Sequence, residues 1–249
     1  MKRIIAFLAL LVSLAVNAQP LRLAVAANAQ FVIKELQADF KKRTGIETEA
    51  IIGSSGKFAA QIKNGAPYDF FLSADMDFPA QLYKEGFGAT SPKEYAQGSL
   101  IVCSASAADL KNWRGLLLQT STNKIALANP DLAPYGKAAR QALQQYGIWE
   151  KIKTRLVYGE SIAQVNTYIT TGVVPLGFTT ESLIHEYASK GKLHWARVEA
   201  KAYDPIRQGM LVLKHAQKER YRQALKFYNY LLSAPAQKLL LHYGYRLPS

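Results

Sequence analysis

Four short polar runs stand where an apolar segment gives way to a helical one. They are Ala26-Ala27-Asn28, Gly53-Ser54-Ser55-Gly56, Ala133-Pro134-Tyr135-Gly136 and Gly159-Glu160-Ser161-Ile162. The first turn of a helix carries N–H groups without acceptors and a partial positive charge, so each run is a potential seat for an anion. Small residues at Ala26 and Ala27 let a ligand approach the backbone, and the Asn28 amide can cap a helix or donate. Two hydroxyls between two glycines, at Gly53–Gly56, suit an oxyanion cradle. Two runs lie early in the chain and two late. That distribution suggests two lobes closing on one small anion.

The Gly53 run also admits enzyme readings. As a P-loop it is too short, and Phe58 stands where a hydroxyl residue is required. A nucleophile elbow needs Gly where Lys57 stands. Ser54 and Lys57 do match S-x-x-K of the penicillin-recognising enzymes, but neither S-D-N nor K-T-G follows. A secreted serine hydrolase using Ser54 and Lys57 is therefore a rival, and the expectation is that the chain is not an enzyme. The histidines His185, His194, His215 and His242 have no metal-pair spacing, and Cys103 is the lone cysteine, in an apolar run. No metal site and no cofactor are expected. Asp69 and Asp75 read as strand and cap residues rather than a catalytic pair, and Arg207 as half of a hinge salt bridge.

The elements that must position these runs follow from apolar periodicity. Strands are expected over 21–26, 47–52 and 68–72, and helices over 30–42, 58–64 and 78–85. This β-α-β-α-β-α rhythm predicts a parallel sheet with helices on both faces. A lone strand over 99–104 breaks it. The rhythm then restarts: strands over 124–128, 154–158 and 173–178, helices over 136–146, 161–170 and 182–188, and an edge strand over 193–198. A second lone strand over 208–213 precedes one long helix over 218–243. The lone strands mark two crossings between lobes, so the chain divides into 19–98 plus 206–249 and, between them, 99–205. Ligands of open α/β sheets bind beyond the carboxyl ends of the strands, where all four runs lie.

The chain opens Met1-Lys2-Arg3, then runs apolar from Ile4 to Val16. That is a secretory signal peptide over residues 1–18, cut after Ala18, and it implies a periplasmic protein. No later run is long enough to span a membrane. A formal charge of +13 is scattered rather than striped. Nucleic acid is therefore not expected as a partner, and a basic surface can steer small anions.

In their order and spacing, these runs resemble periplasmic molybdate-binding proteins of ABC transporters. The resemblance takes in Gln61-Ile62, Gly65-Ala66-Pro67-Tyr68-Asp69, Phe71-Leu72-Ser73-Ala74-Asp75, Asn129-Pro130, Pro175-Leu176-Gly177 and Asp204-Pro205-Ile206. It implies an α/β fold of the type II periplasmic-binding-protein kind: two lobes, a two-crossover hinge, and the ligand in the cleft. The ligand would be molybdate or tungstate, held by neutral N–H and O–H donors with no direct protein–metal bond. It would pass to a membrane permease, and the protein would be a monomer. Sulfate, phosphate or an organic anion on the same fold is the alternative. Carried over by position, the ligand set is Asn28, Ser54, Ser55, Tyr135 and Ile162, with Ala27, Ser161 and Thr180 beside them. Asn28 stands where the family usually has Ser, Tyr135 where a small residue often supplies an N–H, and Thr180 where some members place a Tyr hydroxyl. The Tyr135 phenol is thereby expected to replace the hydroxyl missing at Thr180.

Overall fold

The computed structural model describes residues 19–248 apart from 107, 108, 190, 192 and 218. The signal segment expected over residues 1–18 lies outside the described residues. No helix among them is long and apolar enough to cross a membrane.

Among the described residues ten strands form two five-stranded sheets. The first contains β1 (Leu21–Ala26), β2 (Thr48–Gly53), β3 (Phe70–Leu72), β4 (Lys93–Gly98) and β10 (Ile206–Val212), in the order β2-β1-β3-β10-β4. The second contains β5 (Leu100–Ser104), β6 (Ile125–Ala128), β7 (Leu156–Gly159), β8 (Leu176–Thr180) and β9 (His194–Arg197), in the order β7-β6-β8-β5-β9. Only one residue separates β4 from β5, so the chain changes sheet at Ser99; it returns between β9 and β10.

Among the described residues ten α-helices pack on these sheets: α1 (Val32–Thr44), α2 (Ser55–Lys63), α3 (Asp77–Lys84), α4 (Trp113–Leu118), α5 (Pro134–Gln145), α6 (Trp149–Ile152), α7 (Ile162–Thr170), α8 (Ser182–Tyr187), α9 (Glu219–Leu231) and α10 (Ala234–His242). In the first lobe, alternate strand residues serve opposite faces. Leu21, Leu23, Val25, Phe70, Leu72, Met210 and Val212 pack with α1, α9 and α10 through Phe40, Phe227 and Leu240. Ala24, Phe71 and Leu211 meet Phe58, Ile62 and Leu82 of α2 and α3 on the other face. The second lobe buries β5, β6 and β8 against α5 and α7, with Leu143, Val165 and Ile169 fully covered.

Several expectations are corrected. Neither sheet is purely parallel: β10 runs antiparallel to β3 and β4, and β5 runs antiparallel to β8 and β9. The crossing strands cause this, because each enters its sheet without a preceding crossover helix. β4 has no counterpart in the sequence reading, since Lys93-Glu94-Tyr95-Ala96-Gln97-Gly98 looks polar. Its Glu94 is nevertheless buried and paired with Arg207 at 2.6 Å. Arg207 thus makes its salt bridge within the first sheet. The long final helix is two helices, broken where Ser233 takes an extended conformation before Pro235.

Candidate functional site

The strand register brings the polar runs into pairs. In the first sheet Ala26 is level with Gly53 across β1 and β2, so Ala27-Asn28 and Ser54-Ser55 emerge side by side. In the second sheet Ala128 is level with Gly159 across β6 and β7, and Asn129 N–H donates to Gly159 O at 2.7 Å. Gly136 is required there. A Cβ at this position would lie 2.1 Å from the Ala128 carbonyl oxygen, so only glycine lets α5 start directly above β6.

Between the two pairs lies a small cavity of about 10 Å³, room for little more than the centre of one water-sized sphere. The first lobe lines it with Ala26, Ala27, Asn28, Gly53, Ser54, Ser55 and Ala74, and the second with Ala133, Pro134, Tyr135 and Ile162. No ionisable acid or base other than the Tyr135 phenol is in that set. Three helices, α2, α5 and α7, begin at it. Their capping residues Ser54, Ala133 and Ser161 all have extended backbone and make no side-chain cap bond. The N–H groups of those first turns therefore have no local side-chain acceptor. One of them, Gly56 N–H, crosses to the other lobe and donates to Leu132 O at 2.9 Å.

Two polar atoms of the lining residues are buried without a hydrogen-bond partner among the described residues, Ser54 Oγ and Asn28 Oδ1. Leaving a buried polar group unpaired costs about 1–3 kcal/mol, so such groups call for an explanation. A ligand that accepts from the Ser54 hydroxyl supplies one for Oγ, whereas Asn28 Oδ1 is itself an acceptor. Ser55 is different: its Oγ accepts from Ala74 N–H at 3.0 Å, which leaves its own proton available.

Six of the eight residues singled out in the sequence thus line one cavity: Ala27, Asn28, Ser54, Ser55, Tyr135 and Ile162. Ser161 and Thr180 do not. Ser161 caps α7 and faces an open groove shared with Lys57 and Tyr168. Thr180, on β8, is buried and donates to the Tyr135 hydroxyl at 3.2 Å. That hydroxyl also accepts from Gln208 Nε2 at 3.3 Å and sits against Gly98, where a Cβ would lie 1.9 Å away. None of these three partners lines the cavity. The phenol is therefore held in a polar network between the lobes instead of standing in for a cavity hydroxyl. Burial pushes its pKa well above the ordinary tyrosine value, so it stays neutral.

That network was not legible in the sequence. Asn28 Nδ2 donates to Gln208 Oε1 at 2.7 Å and to the Tyr245 hydroxyl at 3.2 Å. Asn28 O accepts from Tyr245 and, across the lobes, from Ser182 at 2.8 and 2.9 Å. The lone strand expected over 208–213 and the Asp204-Pro205-Ile206 run located this region without its contacts.

Outside the cavity, charged pairs join the lobes at the surface. Lys57 Nζ meets Glu160 at 2.6 Å and Lys137 Nζ meets Asp77 at 3.1 Å. Lys57 is thus engaged with Glu160 and makes no bond to Ser54, which removes the base from the hydrolase reading. Cys103 is fully buried and its thiol is pushed up to about 12 by desolvation, far from a reactive thiolate. Asp69 is also fully buried; it accepts from Arg22 N–H and pairs with Arg220 and His215, a brace between β1, β3 and α9. Among the described residues no cluster of His, Cys, Asp and Glu could hold a metal ion.

The arrangement is a small cavity of uncharged residues, lined from both lobes and approached by three positive helix ends. It can bind a small anion and has no assembled nucleophile and base. The profile of the bacterial extracellular solute-binding protein family matches residues 21–246. The chain is 35% identical to a molybdate-binding protein of Azotobacter vinelandii over 239 residues, covering 95% of this chain and 94% of the relative. It is also 35% identical to a molybdate-binding protein of Rhodobacter capsulatus, over 89% and 86% of the two chains. Among solved structures, an Azotobacter vinelandii periplasmic molybdate-binding protein superposes with a TM-score of 0.86 at 32% identity, over 92% of this chain and all of that one.

Proposed function

This chain belongs to the family of bacterial extracellular solute-binding proteins, and from that premise we propose that it is a periplasmic receptor that captures molybdate for an ABC importer. The observation that carries the reading is the cavity itself. Asn28, Ser54, Ser55, Tyr135 and Ile162 converge on it from both lobes, and the Ser54 hydroxyl is buried there without a partner.

The physical case rests on charge. Each helix start is equivalent to roughly half a positive charge. Three of them offset much of a dianion without introducing a cation that needs its own desolvation. Hydrogen bonds to a charged oxygen are shorter and about twice as strong as neutral ones, so a few pre-aimed N–H and O–H groups suffice. Ser54, Ser55 and the first-turn N–H groups of Tyr135 and Ile162 are the donors, with Ala27 in contact. Such a set rewards tetrahedral geometry and size, which separates molybdate and tungstate from the smaller sulfate and phosphate.

The lobes are proposed as 19–98 plus 206–249 and 99–205, which the exchange of sheets at Ser99 supports. The anion biases an open–closed equilibrium toward the form in which both lobes touch it. The receptor acts as a monomer, after removal of residues 1–18, and delivers its ligand to a membrane permease with no covalent step. Molybdate is a transported ligand, and no cofactor takes part.

Calorimetric titration with molybdate, tungstate, sulfate and phosphate tests the reading. Dissociation constants below about 1 μM, near −8 kcal/mol, are expected for the first two, with no binding of the others. Preferential sulfate binding would overturn it.

A further inference from the structure

Behind the cavity lies a cluster of buried uncharged polar side chains in which two amides face each other. Asn28 is 2% exposed and Gln208 is fully buried. Gln208 Oε1 accepts from Asn28 Nδ2 at 2.7 Å and from the Tyr95 hydroxyl at 3.0 Å, while its Nε2 donates to the Tyr135 hydroxyl at 3.3 Å. Asn28 spends its Nδ2 group on Gln208 and Tyr245. The amide end left without a partner is Oδ1, on a residue that lines the cavity. An acceptor is the wrong group to present to an oxyanion.

Turning the Asn28 amide end for end would place Nδ2 there instead. Turned alone, it would set Oδ1 against Gln208 Oε1 at the present 2.7 Å, two acceptors with no proton between them. Turning Gln208 as well removes the conflict. Its Nε2 then donates to Asn28 Oδ1 and the Tyr95 hydroxyl, and the Tyr135 hydroxyl donates to Oε1. Tyr245 can donate to Asn28 Oδ1, because Ser182 keeps the Asn28 carbonyl oxygen satisfied. Every contact retains a donor and an acceptor, with the Tyr95 proton giving up the acceptor it now has.

We propose that Gln208 is a positioning residue for the anion site, which never touches the ligand and decides which end of the Asn28 amide faces it. The two amides turn as a pair when an oxyanion is captured. The pair also ties the site to closure, because the Tyr135 hydroxyl that Gln208 addresses belongs to the other lobe. This inference rests on the oxyanion reading of the cavity.

A double-mutant cycle with Gln208→Met and Asn28→Ala, titrated with molybdate, tests it. Methionine keeps the length of the side chain and removes both amide ends. Losing a directed bond to a charged group is expected to weaken binding about tenfold in the otherwise wild-type protein. In the Asn28→Ala background the same change should have less than a twofold effect. Equal weakening in both backgrounds, or none in the first, would overturn the role. Should Gln208→Met fail to give a cooperative melt, the assigned side-chain ¹⁵N–¹H₂ resonances of the wild-type protein decide. Both amide pairs should shift on saturation with molybdate, and a Gln208 pair that stays still while the Asn28 pair moves would overturn the paired turn. Absence of oxyanion binding by the wild type would sink the functional reading itself, an outcome distinct from additivity in the cycle.

Discussion

Ser54→Ala separates a ligand hydroxyl from a structural one, because the two roles predict opposite signs of stability change. Replacing a capping serine usually costs about 0.5–2 kcal/mol. Ser54 stands at the cap position of α2 yet makes no cap bond, and its hydroxyl is buried without a partner. Its removal therefore relieves part of a desolvation cost of about 1–3 kcal/mol. Without ligand, the variant should be more stable by about 1 kcal/mol, which is about 2–4 °C in Tm for a chain of this size. With molybdate the sign reverses. A hydrogen bond to a charged group contributes about 1.5–3 kcal/mol, so affinity should fall about 10- to 150-fold. Differential scanning calorimetry without anion and isothermal titration with molybdate read the two effects separately. A variant that binds within twofold of wild type, or that melts lower without ligand, would refute the reasoning.

Ser55→Ala should behave differently from its neighbour. It strands the buried Ala74 N–H that now donates to Ser55 Oγ, so a loss of about 1–3 kcal/mol in unliganded stability is expected by denaturant melting. Asp75 makes a pH prediction. Burial, opposed by bonds from Phe78 N–H and Ser73, pushes its pKa up to about 6. The folded state thus holds this proton more tightly than the unfolded chain, and the stability from the neutral acid is fully present below about pH 4. It is lost as pH rises through about 6, a fall of about 3 kcal/mol at most. Asp75→Asn keeps an acceptor for Phe78 N–H and cannot ionise. It should flatten the pH 4–6 slope and be more stable at pH 7; an unchanged slope in urea melts across that range would count against the assignment.

The sequence carried the parts of the site that a strand and the next helix build together. Gly53-Ser54-Ser55 could be read because a strand end, a cap and a hydroxyl pair fall within a few residues, and parallel register set them beside Ala27-Asn28. What could not be read depends on distance along the chain. Gln208 reaches Asn28 across 180 residues, and Tyr245 reaches it across 217. No local period announces such pairs. β4 was missed for a related reason: Glu94 looks like a solvent residue until Arg207 on another strand pairs with it. Thr180 and Ser161 were placed by position in a pattern, and position does not specify where a side chain points. The Tyr135 phenol shows the same limit. Its helix begins at Pro134, two residues before the expected 136, and the direction of its ring was set by room at Gly98 and donors from two other strands.

The closing contacts indicate what the anion must do. Lys57–Glu160 joins two half-exposed groups, and Lys137–Asp77 joins a half-exposed lysine to a more exposed aspartate. Pairs of that kind contribute about 0–1 kcal/mol each and weaken with salt. The bond from Gly56 N–H to Leu132 O adds about 0.5–1.5 kcal/mol. Against these stand the unpaired Ser54 hydroxyl and the Asn28 oxygen, each with a desolvation cost of similar size. Buried bonds from Ser182 to Asn28 O and from Gln208 to the Tyr135 hydroxyl also join the lobes, and the polar groups that closure leaves unsatisfied oppose these contacts. An oxyanion that accepts from Ser54 removes that part of the opposing term, removes the Asn28 part only when the amide turns to present Nδ2, and adds charged hydrogen bonds from both lobes, so it favours the closed form. An anion too small to reach Ser54 and Ile162 together would satisfy one lobe and leave the other's cost in place. On the proposed reading, selectivity and closure would both draw on the unpaired Ser54 hydroxyl.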